Sequence, residues 1–477
     1  MPEDAPAKPR KWRKRLLIAA GVVLVLLIIA WIYDFTGQRQ LGGVIADLRA
    51  EGAPVTFAEM ETRRKVWADD RNGANVILAV GDRLKAYRDR YTGDKEAPSY
   101  RIKNQPLGRK WPADLLADAK ADLQDMVDVL TKIDTLIDYE GGRFPMKAEP
   151  NPYNILLPDL AKVRGSARLK ALQTLYEVHQ GQTDRLVENI RIMCRHGDLL
   201  SDDPFLISVL VQVACQALTI QTVERACALA ELTPEQLKQL DKLLTNSNPI
   251  TRFNDGIISE RAMFIEATQL FRACRDESGF FSGMGVPEGL PRIPGASGWL
   301  ARDQVAGIGL LSRLAGLTDD YVEAKTIHQQ IEQDFESLPH LYGLTRMLLP
   351  SLWRAYQLCT RFIAQERCAR VALAAERYRL DTGAFPKTLD ALVPTYIEEW
   401  PIDPFVNEPL RYLVTESSVV VYSIGEDETD NGGDLDLPSQ GKRSPDVGFQ
   451  LLPPTLRGLP PLSTQPATST APAAENI

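Results

Sequence analysis

Histidine is scarce in this chain. Only His179, His196, His328 and His340 occur among 477 residues, and no His-Glu-x-x-His run is present to hold a catalytic zinc. Cysteine is limited to six, and although Cys194 and His196 lie two apart, no second ligand pair is near them, so zinc-module spacing is absent. Cys194, Cys215, Cys227, Cys359 and Cys368 all fall inside helical apolar patterns, the usual setting of a small buried thiol. An even count permits disulfides without fixing their pairing. A Gly-x-Ser-x-Gly elbow and a dinucleotide fingerprint are also missing, and Gly279 to Gly285 lacks the Lys-Ser/Thr of a phosphate loop. Basic residues are outnumbered, 55 Lys and Arg against 63 Asp and Glu, for a formal charge of −8. That is the wrong sign for a chain that neutralises phosphates, so nucleic acid is not the expected partner. The 44 % hydrophobic and 25 % charged content argues against a chain disordered or membrane-embedded throughout.

Residues Leu16 to Tyr33 form an uncharged, predominantly apolar run of 18. As a helix at ~1.5 Å per residue it covers about 27 Å, enough to cross a bilayer. Six basic residues and two acidic ones precede it, a net +4 that leaves −12 on Asp34 to Ile477. The positive-inside bias places residues 1–15 in the cytoplasm and the acidic bulk outside, as a single-pass protein of the cell membrane. A cleaved signal peptide is the rival reading, but Trp31, Ile32 and Tyr33 stand where small residues would permit cleavage.

Residues 39–366 read mainly as helix. Arg164 to Gly181, Arg185 to His196, Pro204 to Glu231 and Pro234 to Leu244 carry apolar residues at spacings of three and four, with short breaks that imply antiparallel neighbours. Thr233, Pro234 and Gln236 fit the N-cap, first and third positions of a helix. No strict period repeats, so a tetratricopeptide-like solenoid and an irregular helical bundle both remain open. Pro145 to Pro158 and the Gly- and Pro-rich Ser278 to Ser297 interrupt the pattern. Phe280 and Phe281 in the second segment either tuck against the helices or form an exposed lid. Glu59, Glu61 and Asp69 are helix-borne acids that can pair only if the fold brings them together.

From Arg367 the pattern changes. A helix through Val371, Ala375 and Tyr378 is predicted to end at Gly383, followed by β-like runs at Leu410 to Val414 and Ser418 to Ile424. Three ordered blocks lie here: Ala375-Glu-Arg-Tyr-Arg-Leu-Asp-Thr-Gly-Ala-Phe-Pro386, Asp403-Pro-Phe-Val-Asn-Glu-Pro-Leu-Arg-Tyr412 and Tyr422-Ser-Ile-Gly-Glu-Asp427. At these residues the chain resembles the globular head of the major pseudopilin of type II secretion, the protein G family, over about one-sixth of its length. The departure from that family is the Leu352 to Leu380 helix. It carries Arg354, Arg361, Glu366, Arg367 and Arg370 and so cannot be a membrane stem, and no pseudopilin processing motif precedes it.

The family's head binds calcium in its last loop, and here that loop holds Glu426, Asp427, Glu428, Asp430, Asp434 and Asp436 with no base between them. A hard divalent cation relieves such repulsion. The resemblance implies ligands at the Ile424 carbonyl, Asp427 and Asp434, then Asp436, with Asp430 and Asn431 helping directly or through water. The twelfth position is Pro438 rather than Glu, so this is not an EF-hand. A solvated acidic turn is the alternative. The expected architecture is mainly α: a transmembrane anchor at 16–33, an irregular, solenoid-like body at 39–366, a small α+β pseudopilin-like head with an antiparallel sheet at 367–450, and a disordered Pro/Ser/Thr/Ala tail at 451–477. The expected function is a non-catalytic binding or scaffold component of the bacterial envelope, with an envelope protein as partner and Ca²⁺ in the head. A cell-surface hydrolase with its site in the helical body is the competing class.

Overall fold

The computed structural model describes residues 11–91, 98–244, 248–273, 275, 279–283, 286–348, 351–435 and 446–462. Its first element, α1 (Lys11–Ala50), is one unbroken 40-residue helix. All its large apolar side chains from Leu16 to Ile32 are exposed. By length and composition α1 can cross a membrane, as an anchor or a signal sequence would. The helix passes without a break from the expected anchor at 16–33 into the expected body, where Leu41 and Leu48 are buried.

The body is mainly helical, as expected. Its longer helices are α2 (Ala113–Asp125), α3 (Pro158–His179), α4 (Leu186–Asp198), α5 (Leu206–Leu229), α6 (Pro234–Leu244), α7 (Pro249–Arg272), α8 (Ala296–Leu314) and α9 (Tyr321–Ser337). Thr233 and Gln236 form a reciprocal capping box at the start of α6: the Gln236 N–H donates to Thr233 Oγ1 at 3.2 Å and the Thr233 N–H to Gln236 Oε1 at 2.9 Å. α5 matches a membrane span in length and apolarity, yet Val209, Ile220 and Val223 on it are buried in the main core. It is a core helix. The helices follow no fixed repeat length, so an irregular bundle describes them better than a solenoid. Phe281 is buried and Phe280 stacks on Tyr153 with ring centroids 4.9 Å apart, so these rings tuck against the body.

One helix joins body and head. α10 (Leu352–Thr382) runs through the expected 366/367 boundary and stops at Gly383, whose φ of 88° is the left-handed C-cap that glycine accepts most readily. Its face of Ala364, Cys368, Ala372 and Ala375 is fully buried, leaving room for close packing of the strands. A short hairpin pairs β1 (Ile402–Asp403) with β2 (Glu408–Pro409). An antiparallel sheet then orders β3 (Arg411–Val414), β4 (Val419–Ser423) and β5 (Val447–Leu451) side by side. Phe449, Val421 and the helical residues Leu373 and Phe253 belong to one continuous core, so the head is not a separately packed unit.

The tail also departs from expectation. Residues 452–462 run in an ordered path: the Leu459 N–H donates to Gly108 O at 3.0 Å and the Lys110 N–H to Leu459 O at 2.8 Å. Arg457 forks onto the buried Glu376 at 2.7 and 2.8 Å, joined there by Arg379. The Pro-rich composition hid a strap fastened by a bidentate ion pair and by backbone hydrogen bonds. Residues 463–477 lie outside the described set.

At the seam between α5 and β5 the Gln450 N–H donates to Glu224 Oε1 at 2.7 Å, and burial pushes the Glu224 carboxyl from the ordinary 4.5 up to about 7. A raised carboxyl favours the folded state when protonated, so its contribution is full below pH 4.5 and is lost as pH rises through about 7. Urea unfolding at about pH 5 and about pH 8 is expected to show a smaller loss of stability in Glu224→Gln than in the native protein. Equal losses would refute this assignment.

α1 crosses α8 at a point where glycine is required. A Cβ on Gly298 would fall against the Tyr33 carbonyl oxygen and 2.6 Å from Asp34 Cα, and one on Gly37 would meet Gly298 in turn. Gly298→Ala is expected to lower stability by about 1–3 kcal/mol through overpacking. Gly309→Ala, on the same helix with nothing within 4 Å of its added Cβ, should gain roughly 0.5–1 kcal/mol of helix propensity. Thermal unfolding of the two variants in detergent checks the opposite signs.

Candidate metal centre

Asp403 organises the head. It is fully buried and accepts from the Phe405 N–H at 3.0 Å, the Ser423 hydroxyl at 2.8 Å and the Ile424 N–H at 3.0 Å. The Gly425 N–H adds a bond to Ser423 Oγ at 3.1 Å. One carboxylate therefore ties the β1–β2 hairpin to the end of β4 and fixes where the acidic loop begins. The buried Ile424 is the first of the expected ligand positions.

Beyond it the loop turns through left-handed residues, with φ of 72° at Gly425, 55° at Glu428, 72° at Gly432 and 75° at Gly433. Asp427 Oδ1 accepts from the Thr429 N–H at 3.1 Å, and the Asn431 side chain donates to Thr429 O at 3.0 Å. Asp430 accepts from the Gly432 N–H at 2.9 Å, Arg411 Nε at 3.0 Å and the Tyr422 hydroxyl at 3.2 Å. The Gly432 N–H foremost, with Tyr422 and Arg411, holds its carboxyl below the ordinary range. Asp434 is exposed, and Asp436 lies outside the described residues.

The carboxylates are less isolated than the sequence implied. Arg361 of α10 pairs with Glu426 at 2.8 Å, Lys325 of α9 pairs with Glu428, and Arg411 of β3 pairs with Asp430. Glu426, Glu428 and Asp430 thus meet bases that are remote in sequence, which weakens the repulsion argument for a cation. Asp430 serves as a clamp between strand and loop, a role the sequence reading did not give it.

A further acid was missed. Asp446, buried immediately before β5, accepts from the Gly433 N–H at 2.8 Å and the Asn431 N–H at 3.4 Å. Burial raises its carboxyl above the ordinary range, and Asp430 and Asp427 add to the rise. The turn at Asn431–Gly433 therefore gathers Asp427, Asp430 and Asp446 within electrostatic reach of one another. Its sequence trace was an Asp directly preceding the Val-Gly-Phe-Gln-Leu strand. Among the described residues, which exclude Asp436, no group of three or more His, Cys, Asp or Glu stands as a preformed metal cage.

The body offers other chemistry-bearing groups. The Ser166 hydroxyl meets His196 Nε2 at 2.8 Å while Nδ1 faces Ile192 O at 2.9 Å. Both residues are fully buried and burial pushes the imidazole down to about 4. This is a satisfied core pair, closed to a substrate. Glu59 accepts from the Val55 N–H, Glu61 is held by Arg64 and Arg143, and Asp69 sits on an exposed turn, so these three acids do not converge. Cys215, Cys227 and Cys359 are buried free thiols pushed up to about 12 by burial. A groove of about 900 Å³ between α6, α10 and residues 394–402 carries Lys238, Arg370 and Arg377 around Asp241. No family model, no curated protein and no solved structure matches the chain.

Asp403→Ala leaves a buried hydroxyl and two buried N–H groups without their acceptor and is expected to cost about 2–4 kcal/mol. Asp430→Ala, at the exposed clamp, should cost about 1 kcal/mol or less. Denaturant unfolding monitored by near-ultraviolet circular dichroism separates the two.

Proposed function

We propose that this chain is a membrane-anchored, non-catalytic binding or scaffold protein of the bacterial envelope, with a head similar to type II secretion protein G that takes up Ca²⁺ at the loop from Ile424 to Asp446. The observation that carries the reading is the gathering of Asp427, Asp430 and the buried Asp446 on the Asn431–Gly433 turn. Bound backbone N–H groups shape the turn, and a hard cation would draw on carboxylate and carbonyl oxygen alone. Asp427, Asp434 and Asp446, with the Ile424 carbonyl, are the residues assigned to hold it, while Asp430 is engaged by Arg411 and Tyr422. Asp436 completes the set implied by the resemblance.

The anchor half of the proposal is supported by α1 itself. The residues a signal peptidase would need in extended form, around Tyr33 and Thr36, are helical and docked: Asp34 accepts from the Gly295 and Gly298 N–H groups at 3.0 and 2.5 Å, and Arg302 donates to Tyr33 O at 3.0 Å. Cleavage there would strip the cap from α8.

Calorimetry of the full chain in detergent, after chelator treatment, is expected to show heat on Ca²⁺ addition. With Ca²⁺ at a hundredfold over Kd the stability gain should be about 2.7 kcal/mol. Asp427→Asn and Asp446→Asn should each reduce both signals. Because Asp446 must be deprotonated to bind, affinity should climb as pH rises through its elevated range. Absence of heat together with an unchanged melting temperature would sink the calcium reading.

A further inference from the structure

The position of α8 beside α1 fixes which part of the body faces the bilayer. A Cβ on Gly295 would lie 3.6 Å from Ala30 Cβ, and Gly298 meets Asp34. At the other end of α8, Ser312 bonds Arg261 at 2.8 Å, and Arg261 lies in the field of Glu51 just past the end of α1. The two helices therefore run side by side in the same direction, and the chain leading into α8 lies on the side from which α1 emerges. Ala30 is three residues inside the apolar run, about 4.5 Å short of its end at Tyr33. The segment before Gly295 sits at the depth of the headgroups, or below it.

That segment has matching chemistry. Ile293 is 57 % exposed, Leu290 is half-buried and Arg292 is exposed between them. A second turn packs on α8 with its Tyr342 in the field of Tyr33. The Leu344 and Thr345 N–H groups bond the buried Asp303 carboxylate at 3.0 and 3.1 Å, while neighbouring Arg302 lies over the Tyr33 ring at 3.9 Å. Leu341, at the head of this turn, is 72 % exposed. In water these apolar side chains are a liability, whereas at a bilayer surface each adds buried area next to the Trp31 and Tyr33 belt.

We infer that Leu290 to Ile293, with Leu341, insert into the interfacial layer of the leaflet from which α1 emerges, so that the body is seated on the lipid surface rather than suspended from a tether. Arg292 meets lipid phosphate while Ile293 and Leu341 enter the acyl boundary. The inference rests on the anchor reading and extends it: the glycine crossing and the Asp34 cap give the body one fixed height and tilt, and the two turns are its lipid-facing feet.

Photocrosslinking of the full chain in nanodiscs of phosphatidylethanolamine and phosphatidylglycerol tests it, with p-benzoylphenylalanine replacing Leu24, Ile293, Leu341 or Val66 in separate variants. Val66 is 80 % exposed and apolar but lies beyond the far end of α1, so it serves as the control. Adducts to phospholipid, read by mass spectrometry, are expected at Leu24 and Ile293 and at Leu341, each several-fold above Val66. Labelling of Leu24 with Ile293 and Leu341 no higher than Val66 would overturn the seating and leave the anchor standing. Lack of labelling at Leu24 would overturn the anchor and the seating with it. Unchanged melting temperatures confirm that each variant is folded.

Discussion

The close approach of α1 and α8 at Gly37 and Gly298 governs how the rest of the molecule is placed. Helix backbones come this near only where both side chains are reduced to hydrogen. Asp34 then reaches the N-terminal N–H groups of α8, where a carboxylate satisfies donors that no helical carbonyl can and meets the positive end of the helix dipole. Arg302 closes the junction over Tyr33 and Thr36. A continuous helix held this way transmits orientation without a hinge, so any membrane-spanning role of α1 fixes the attitude of the whole body.

The head obeys a second electrostatic logic. Its acidic loop is stabilised first by protein bases: Arg361 and Lys325 reach across from the helical body, and Arg411 from the sheet. Asp403 contributes through hydrogen bonds in a buried setting, where each unsatisfied donor would cost more than an exposed ion pair gains. With Glu426, Glu428 and Asp430 paired to protein bases, the strength of the proposed site depends most on its buried member, Asp446.

Local signals in the sequence carried far. The capping box at Thr233 and Gln236, the stop at Gly383 and the strands around Tyr412 and Val421 were legible because each depends on a few adjacent residues. What escaped depended on partners distant in sequence. Arg457 sits in a Pro-rich stretch that composition reads as disordered, and its order comes from the bidentate match to Glu376 together with the backbone bonds of Leu459 to Gly108 and Lys110. Glu426 and Glu428 looked unneutralised because their bases lie 65 and 103 residues away. Asp446 was invisible as a loop member because chain separation, rather than space, set the window. At the 366/367 boundary a composition change marks where new partners begin, while the helix that meets them continues.

Continuity of α10 also decides what a cation in the loop can do. The helix buries Tyr356 and Phe362 toward the body and Ala372 and Ala375 toward the sheet, all within a single core. Moving the head relative to the body would open that core and break the Glu426–Arg361 and Glu428–Lys325 pairs together. Packed interiors resist such displacement far more than loops do. A cation bound at Asp427 and Asp446 would therefore act by ordering the turn at Asn431–Gly433 and shaping the surface it presents, since among the described residues there is no joint through which binding could swing one part against the other.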